Sequence, residues 1–143
     1  MASSYSDLKI ELIGTGEQSG SWGTTTNTNL GTAIEEAIAE SVDVAFSSGT
    51  VTLTLTNSNG TQSARHLRLN LTGTSGGAQN LVVPTIEKPY LVNNGTDDTI
   101  TVKTSSGSGI GVPSGKTMWV YVDGTNVVDA VTAVSSLQSD GGV

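Results

Sequence analysis

Thr50-Val51-Thr52-Leu53-Thr54-Leu55-Thr56 sets three apolar residues between four threonines, and this strict period of two is the signature of a strand with one buried face. Working outward, Val42, Val44 and Phe46 alternate in the same way just before it. Leu67, Leu69 and Leu71 alternate with Arg68 and Asn70 just after it. Asn57-Ser58-Asn59-Gly60 between the two reads as a turn. Further strands are expected at 80–83, 88–93, 99–104, 116–122 and 127–134. They are separated by Asn93-Asn94-Gly95, the Ser105 to Gly109 stretch, Pro113-Ser114-Gly115 and Asp123-Gly124, the last suited to a tight hairpin. Short strands at this spacing predict a mainly β chain, an antiparallel β-sandwich or barrel-like domain.

Upstream the period changes. Leu8, Ile10 and Leu12 alternate as a first strand; then Leu30, Ala33, Ile34, Ala37, Ile38 and Val42 recur at three- and four-residue steps, with Glu35, Glu36 and Glu40 between them. That is one N-terminal amphipathic helix over 30–42, its glutamates on the opposite, solvated face from its apolar stripe, capped by Asn27 or Thr28. The expected organisation is one compact domain: a strand and Gly/Trp/Asn-rich motif over 1–29, the helix over 30–42, a β-domain over 43–134 and a flexible tail or fibre stem over 135–143.

The composition limits the chemistry. Of 143 residues, 13 are acidic and 6 basic, a net charge of -7 that repels phosphate backbones and anionic membranes, so neither nucleic acid nor membrane insertion is expected. There is no cysteine, and His66 is the single histidine, so no zinc motif is legible and no metal or cofactor is expected. Gly73-Thr74-Ser75-Gly76-Gly77 matches a hydrolase elbow in letters alone, because a strand and not a helix follows it. Asp97-Asp98 lies near Asn93, Asn94 and Thr96, oxygen donors that calcium accepts, but without ligand spacing; a turn is the better reading. No catalytic residue emerges, and an enzyme is the weakest option.

Gly16-Glu17-Gln18-Ser19-Gly20-Ser21-Trp22-Gly23-Thr24-Thr25-Thr26-Asn27-Thr28-Asn29-Leu30 resembles the glycine-tryptophan-glycine, asparagine-rich motif near the start of many bacteriophage tail-fibre and tail-associated proteins, especially of marine and cyanobacterial phages. The Lys88 to Thr96 segment is similar to those that follow such motifs. The resemblance implies a virion structural protein, made in the cytoplasm of a bacterial host. A tail fibre or tail appendage is expected, acting in assembly and in host-surface contact. It implies association with other virion proteins and with itself, usually as a homotrimer, with Leu30, Ile34 and Ile38 as a seam. That stripe is equally compatible with packing on its own sheet. A capsid decoration or adaptor protein, or a carbohydrate-binding module, are the rival readings.

Two tryptophans, three tyrosines and one phenylalanine are the whole aromatic complement, which gives Trp22 and Trp119 weight. Trp22, between Gly20 and Gly23, serves either as a local packing anchor or as an insert into a neighbouring subunit. Trp119 and Tyr121 alternate with Met118, Val120 and Val122. With the aliphatic set inside, the aromatic pair is an interface or a platform for stacking a host glycan; with the reverse assignment it is core.

Overall fold

In a computed structural model of the 143-residue chain, residues 3–138 are described. Two short strands, β1 (Ser4–Tyr5) and β2 (Glu11–Leu12), pair as an antiparallel hairpin. A helical segment follows: α1 (Trp22–Thr28), a π turn (Asn29–Ile34) and α2 (Glu35–Ala39). The rest is β, in the order β3 (Ser41–Ser47), β4 (Val51–Thr52), β5 (Arg68–Thr74), β6 (Gln79–Val82), β7 (Lys88–Asn94), β8 (Ile100–Lys103), β9 (Gly109–Val112), β10 (Thr117–Val122) and β11 (Val127–Asp129). A 3-10 turn, Ser63–Arg65, precedes β5.

Beyond the β1-β2 hairpin, the strands form two sheets. One has the order β11-β10-β7-β5-β3 and the other β4-β6-β8-β9. The chain alternates between them, β3 to β4, β5 to β6 and β7 to β8, so three successive coils each give one strand to each sheet. Because every coil runs in the same sense, β3, β5 and β7 are parallel neighbours, and so are β4, β6 and β8. The last strands turn back: β9 is antiparallel to β8, and β10 to both β7 and β11. The mainly β, two-sheet class with one N-terminal helical segment is as expected. The pairing is mixed instead of uniformly antiparallel, and the sheets do not close into a barrel, because the linker between paired strands is a strand of the opposite sheet.

Alternation places the core between the sheets. Val44, Phe46, Leu69, Leu71, Tyr90, Val92, Val120, Val122 and Val127 face Leu81, Val83, Ile100, Val102 and Val112, all buried. β9 was not expected. Its glycines hide the alternation, yet close approach requires them: a Cβ on Gly109 would stand 2.2 Å from the Val102 carbonyl oxygen.

Further boundaries differ from expectation: the alternating Thr50 to Thr56 stretch is a strand only at Val51–Thr52, and the last strand ends at Asp129, short of the expected 134. The helix starts at Trp22, so the Gly-Trp-Gly motif is its first turn, and Asn27 and Thr28 lie inside it; Ser21 precedes it without a side-chain cap. It ends at Ala39, and Val42 belongs to β3, half-buried with its in-facing partners Val44 and Phe46. The expected Leu8 to Leu12 strand is a hairpin, turned at Lys9 (φ 64). Of the expected tail, 135–138 is exposed, and 139–143 lies outside the described residues.

Candidate functional site

The helical segment is inverted relative to the pattern in its sequence. Its buried residues are Ala33 and Glu36, the latter 2% exposed, while Trp22 is 61%, Leu30 57% and Ile38 67% exposed; Ile34 is half-buried. The expectation that Glu36 is solvated is overturned, and of the two readings of the Leu30/Ile38 stripe the exposure of both residues does not fit packing on the chain's own sheet. Arg65 is the physical reason. Its guanidinium, fully buried, donates from Nη1 to Glu36 Oε1 (2.8 Å) and to the Gly60 carbonyl (2.7 Å). Nε donates to the Leu8 carbonyl (2.7 Å), and Nη2 to those of Ser58 (2.9 Å) and Lys9 (3.4 Å). All five N–H groups are used, so a buried carboxylate and a buried cation satisfy one another while stitching hairpin, helix and loop together.

Asparagines fix the same junction. Asn29 accepts from Glu11 N–H (2.9 Å) and donates to the Glu11 carbonyl (2.8 Å), pairing with that backbone as a strand would. Asn59 Nδ2 donates to Thr25 O (3.2 Å) and Asn29 Oδ1 (3.1 Å). The polar motif is therefore a clamp whose hydrogen bonds point inward, and the helix's large apolar side chains are what is left for the outside.

A second surface lies on the outer face of the five-stranded sheet. Met118, Val120 and Val122 turn inward, so Trp119 (43% exposed) and half-buried Tyr121 turn outward. Register sets Trp119 beside Leu91 and Tyr121 between Pro89 and Val128, an apolar strip across β7, β10 and β11. Tyr90, on the opposite parity, is in the core; its Oη donates to the Ala64 carbonyl (2.5 Å). Beside the strip runs a polar ladder: Thr117 Oγ1 donates to Asn93 Oδ1 (2.8 Å), Asn93 Nδ2 to Asn70 Oδ1 (2.6 Å), and Asn70 Nδ2 to Asp43 Oδ1 (2.8 Å). Each amide both donates and accepts, so the row ties four strands together on the wet face.

The other sequence candidates have structural jobs. Ser75 is fully buried; its Oγ lies 2.8 Å from Asp97 Oδ1 and 2.9 Å from Asp98 Oδ2, one hydroxyl proton shared between them, while the Ser75 and Gly77 N–H groups donate to Asp97 and Asp98 respectively. The Asp97-Asp98 pair staples one inter-sheet turn to the next, and hydrogen bonds from Ser75 hold the Asp97 carboxyl below the usual carboxylate range. Among the described residues no pocket is present, and no helix is long and apolar enough to cross a membrane. Sequence reasoning missed Arg65 as an organising residue; one of six basic residues in the chain, next to the single histidine, was the available signal.

The structure brings Leu30, Ile34 and Ile38 to one helical segment and Trp119 with Tyr121 to one sheet face, as separate surfaces. No protein-family model, no curated protein and no solved structure matches the chain.

Proposed function

We propose that this chain is a non-enzymatic phage virion structural protein, a tail-fibre or tail-appendage component, and that it works by self-assembly through its helical segment. One observation carries the reading. A helix whose inward side is Ala33 and Glu36 and whose outward side carries Trp22, Leu30 and Ile38 is arranged for an apolar partner, because a soluble single domain places such residues the other way. The resemblance of the Gly16 to Leu30 motif supplies the class of assembly, and a three-fold axis lets one stripe meet its copies. Other virion proteins are the further partners, and the particle is the site of action.

The test is the absolute mass of the full chain by light scattering after size exclusion. A trimer supports the proposal; a monomer across micromolar concentrations sinks self-assembly and favours a decoration or adaptor protein docking on a larger partner.

A second reading is favoured by the outward Trp119 and Tyr121: host-glycan contact on the sheet face, where aromatic faces stack on sugar rings and the adjoining amide ladder offers hydrogen bonds. It is compatible with the first, because the two surfaces are on different elements. A glycan array probed with the full chain and with Trp119→Ala tests it; equal binding by both, or none by either, removes it.

A further inference from the structure

We infer that Glu36, Glu40 and His66 form a binding site for a zinc-type divalent cation at the end of the helical segment. The three side chains each offer one ligand atom, and these atoms lie within 4.8 Å of one another. His66 is 95% buried in the sense that only 5% of it is exposed, and its ring is oriented: Nδ1 faces the carbonyls of Gln62 (2.9 Å) and Ser63 (3.3 Å). Carbonyls only accept, so Nδ1 carries a proton, and in the neutral ring Nε2 is the nitrogen that offers its lone pair to a cation. Nε2 makes no hydrogen bond among the described residues and faces Glu36 Oε2 at 3.6 Å.

That separation fits a metal. Two ligands bound at about 2.1 Å in a tetrahedron stand about 3.4 Å apart, so a cation seats between Nε2 and Oε2 with little movement. Glu36 is oriented from behind, because Oε1 is occupied by Arg65 Nη1 (2.8 Å) and Gln62 N–H (3.3 Å), leaving Oε2 for the cation. An imidazole fixed by a backbone carbonyl and a carboxylate fixed by an arginine are the outer-shell supports that ligating groups need. Glu40 completes the set. Its carboxylate is exposed and makes no hydrogen bond or ion pair among the described residues, so it is free to swing in and marks the route from solvent. One nitrogen and two carboxylate oxygens suit zinc better than magnesium, and a fourth position remains for water. The cation would tie Glu36 and Glu40, at the helix end, to His66, just before β5.

The experiment is calorimetric titration of the full chain with zinc chloride at neutral pH, with 15N-detected spectra of the imidazole, whose assignment is certain in a chain with one histidine. We expect one saturable equivalent, a displaced Nε2 resonance with Nδ1 still protonated, and binding at least tenfold weaker in Glu40→Gln and in His66→Ala. Glu40→Gln alters an exposed side chain, so it remains a fair test where His66→Ala fails to fold. Absence of saturable binding, an unmoved Nε2 resonance, or equal affinity in Glu40→Gln overturns the assignment.

Discussion

Arg65 Nη1 lies 2.8 Å from Glu36 Oε1, and both side chains are shut away from water. Removing one partner strands the other as a buried charge, so Glu36→Ala or Arg65→Met should each cost about 3–5 kcal/mol. Changing both to apolar residues of similar volume should restore part of that loss. Urea unfolding of the two single variants and the double variant measures the coupling.

Leu30 and Ile38 stand outside the monomer's core, so Leu30→Lys and Ile38→Lys should leave the unfolding midpoint of the isolated subunit within about 0.5 kcal/mol of its original stability. The assembled mass should nevertheless fall to that of the monomer. Light scattering beside thermal unfolding separates the two effects.

The amide ladder should show a gradient. Asn70 both donates and accepts between strands, so Asn70→Ala breaks two hydrogen bonds and should cost about 1–2 kcal/mol. Thr117→Ala, at the end of the row, breaks one and should cost about half as much. Equal costs in chemical denaturation would count against the ladder acting as a unit.

Lys88 and Tyr90 shape the alkaline stability. The ammonium of Lys88, 3.7 Å above the Tyr90 ring, is desolvated by burial, which lowers its pKa from 10.5 to about 8. Between those values the unfolded chain binds more protons than the folded one, so stability should rise from about pH 8 toward pH 10. Burial raises the Tyr90 phenol above its ordinary 10.0, so beyond that pH the unfolded chain sheds the proton first and stability should fall. Urea midpoints from pH 7 to 11 should therefore peak near pH 10; Lys88→Met should flatten the rise and Tyr90→Phe the fall.

Two glycines should respond oppositely to alanine. Gly73 has φ +86, and a Cβ there would sit 2.3 Å from the Phe46 carbonyl oxygen, so Gly73→Ala should destabilise by about 2 kcal/mol or more. Gly23 is in α1 with open space around it, and Gly23→Ala should stabilise by roughly 0.5–1 kcal/mol. Thermal unfolding of both variants checks the sign.

The strands were legible where one face is buried: Val44/Phe46, Leu69/Leu71 and Val120/Val122 announce themselves by alternation. Their direction was not, because parallel and antiparallel partners show the same side-chain period. Arg68, for example, aligns with Leu91 in the parallel partner strand, with no repeated motif to mark it. The helix was legible as a period and misread as a face. Local pattern puts Glu36 in water; only Arg65, distant in sequence, makes its burial tolerable, and no window of sequence contains both. Trp119 and Tyr121 were legible as a choice between two parities, which the inward Met118, Val120 and Val122 decide.

A strand that leaves one sheet, crosses to the other and returns above itself meets mainly the coil before and the coil after. Such a stack is indifferent to how many coils it holds. Neighbouring coils are spaced at about 4.8 Å, so the β-body is a ruler graduated in that unit. Duplicating or deleting one coil, such as β5 with β6, would change the reach of the domain by one graduation while the hairpin of β10 and β11 still closes its end.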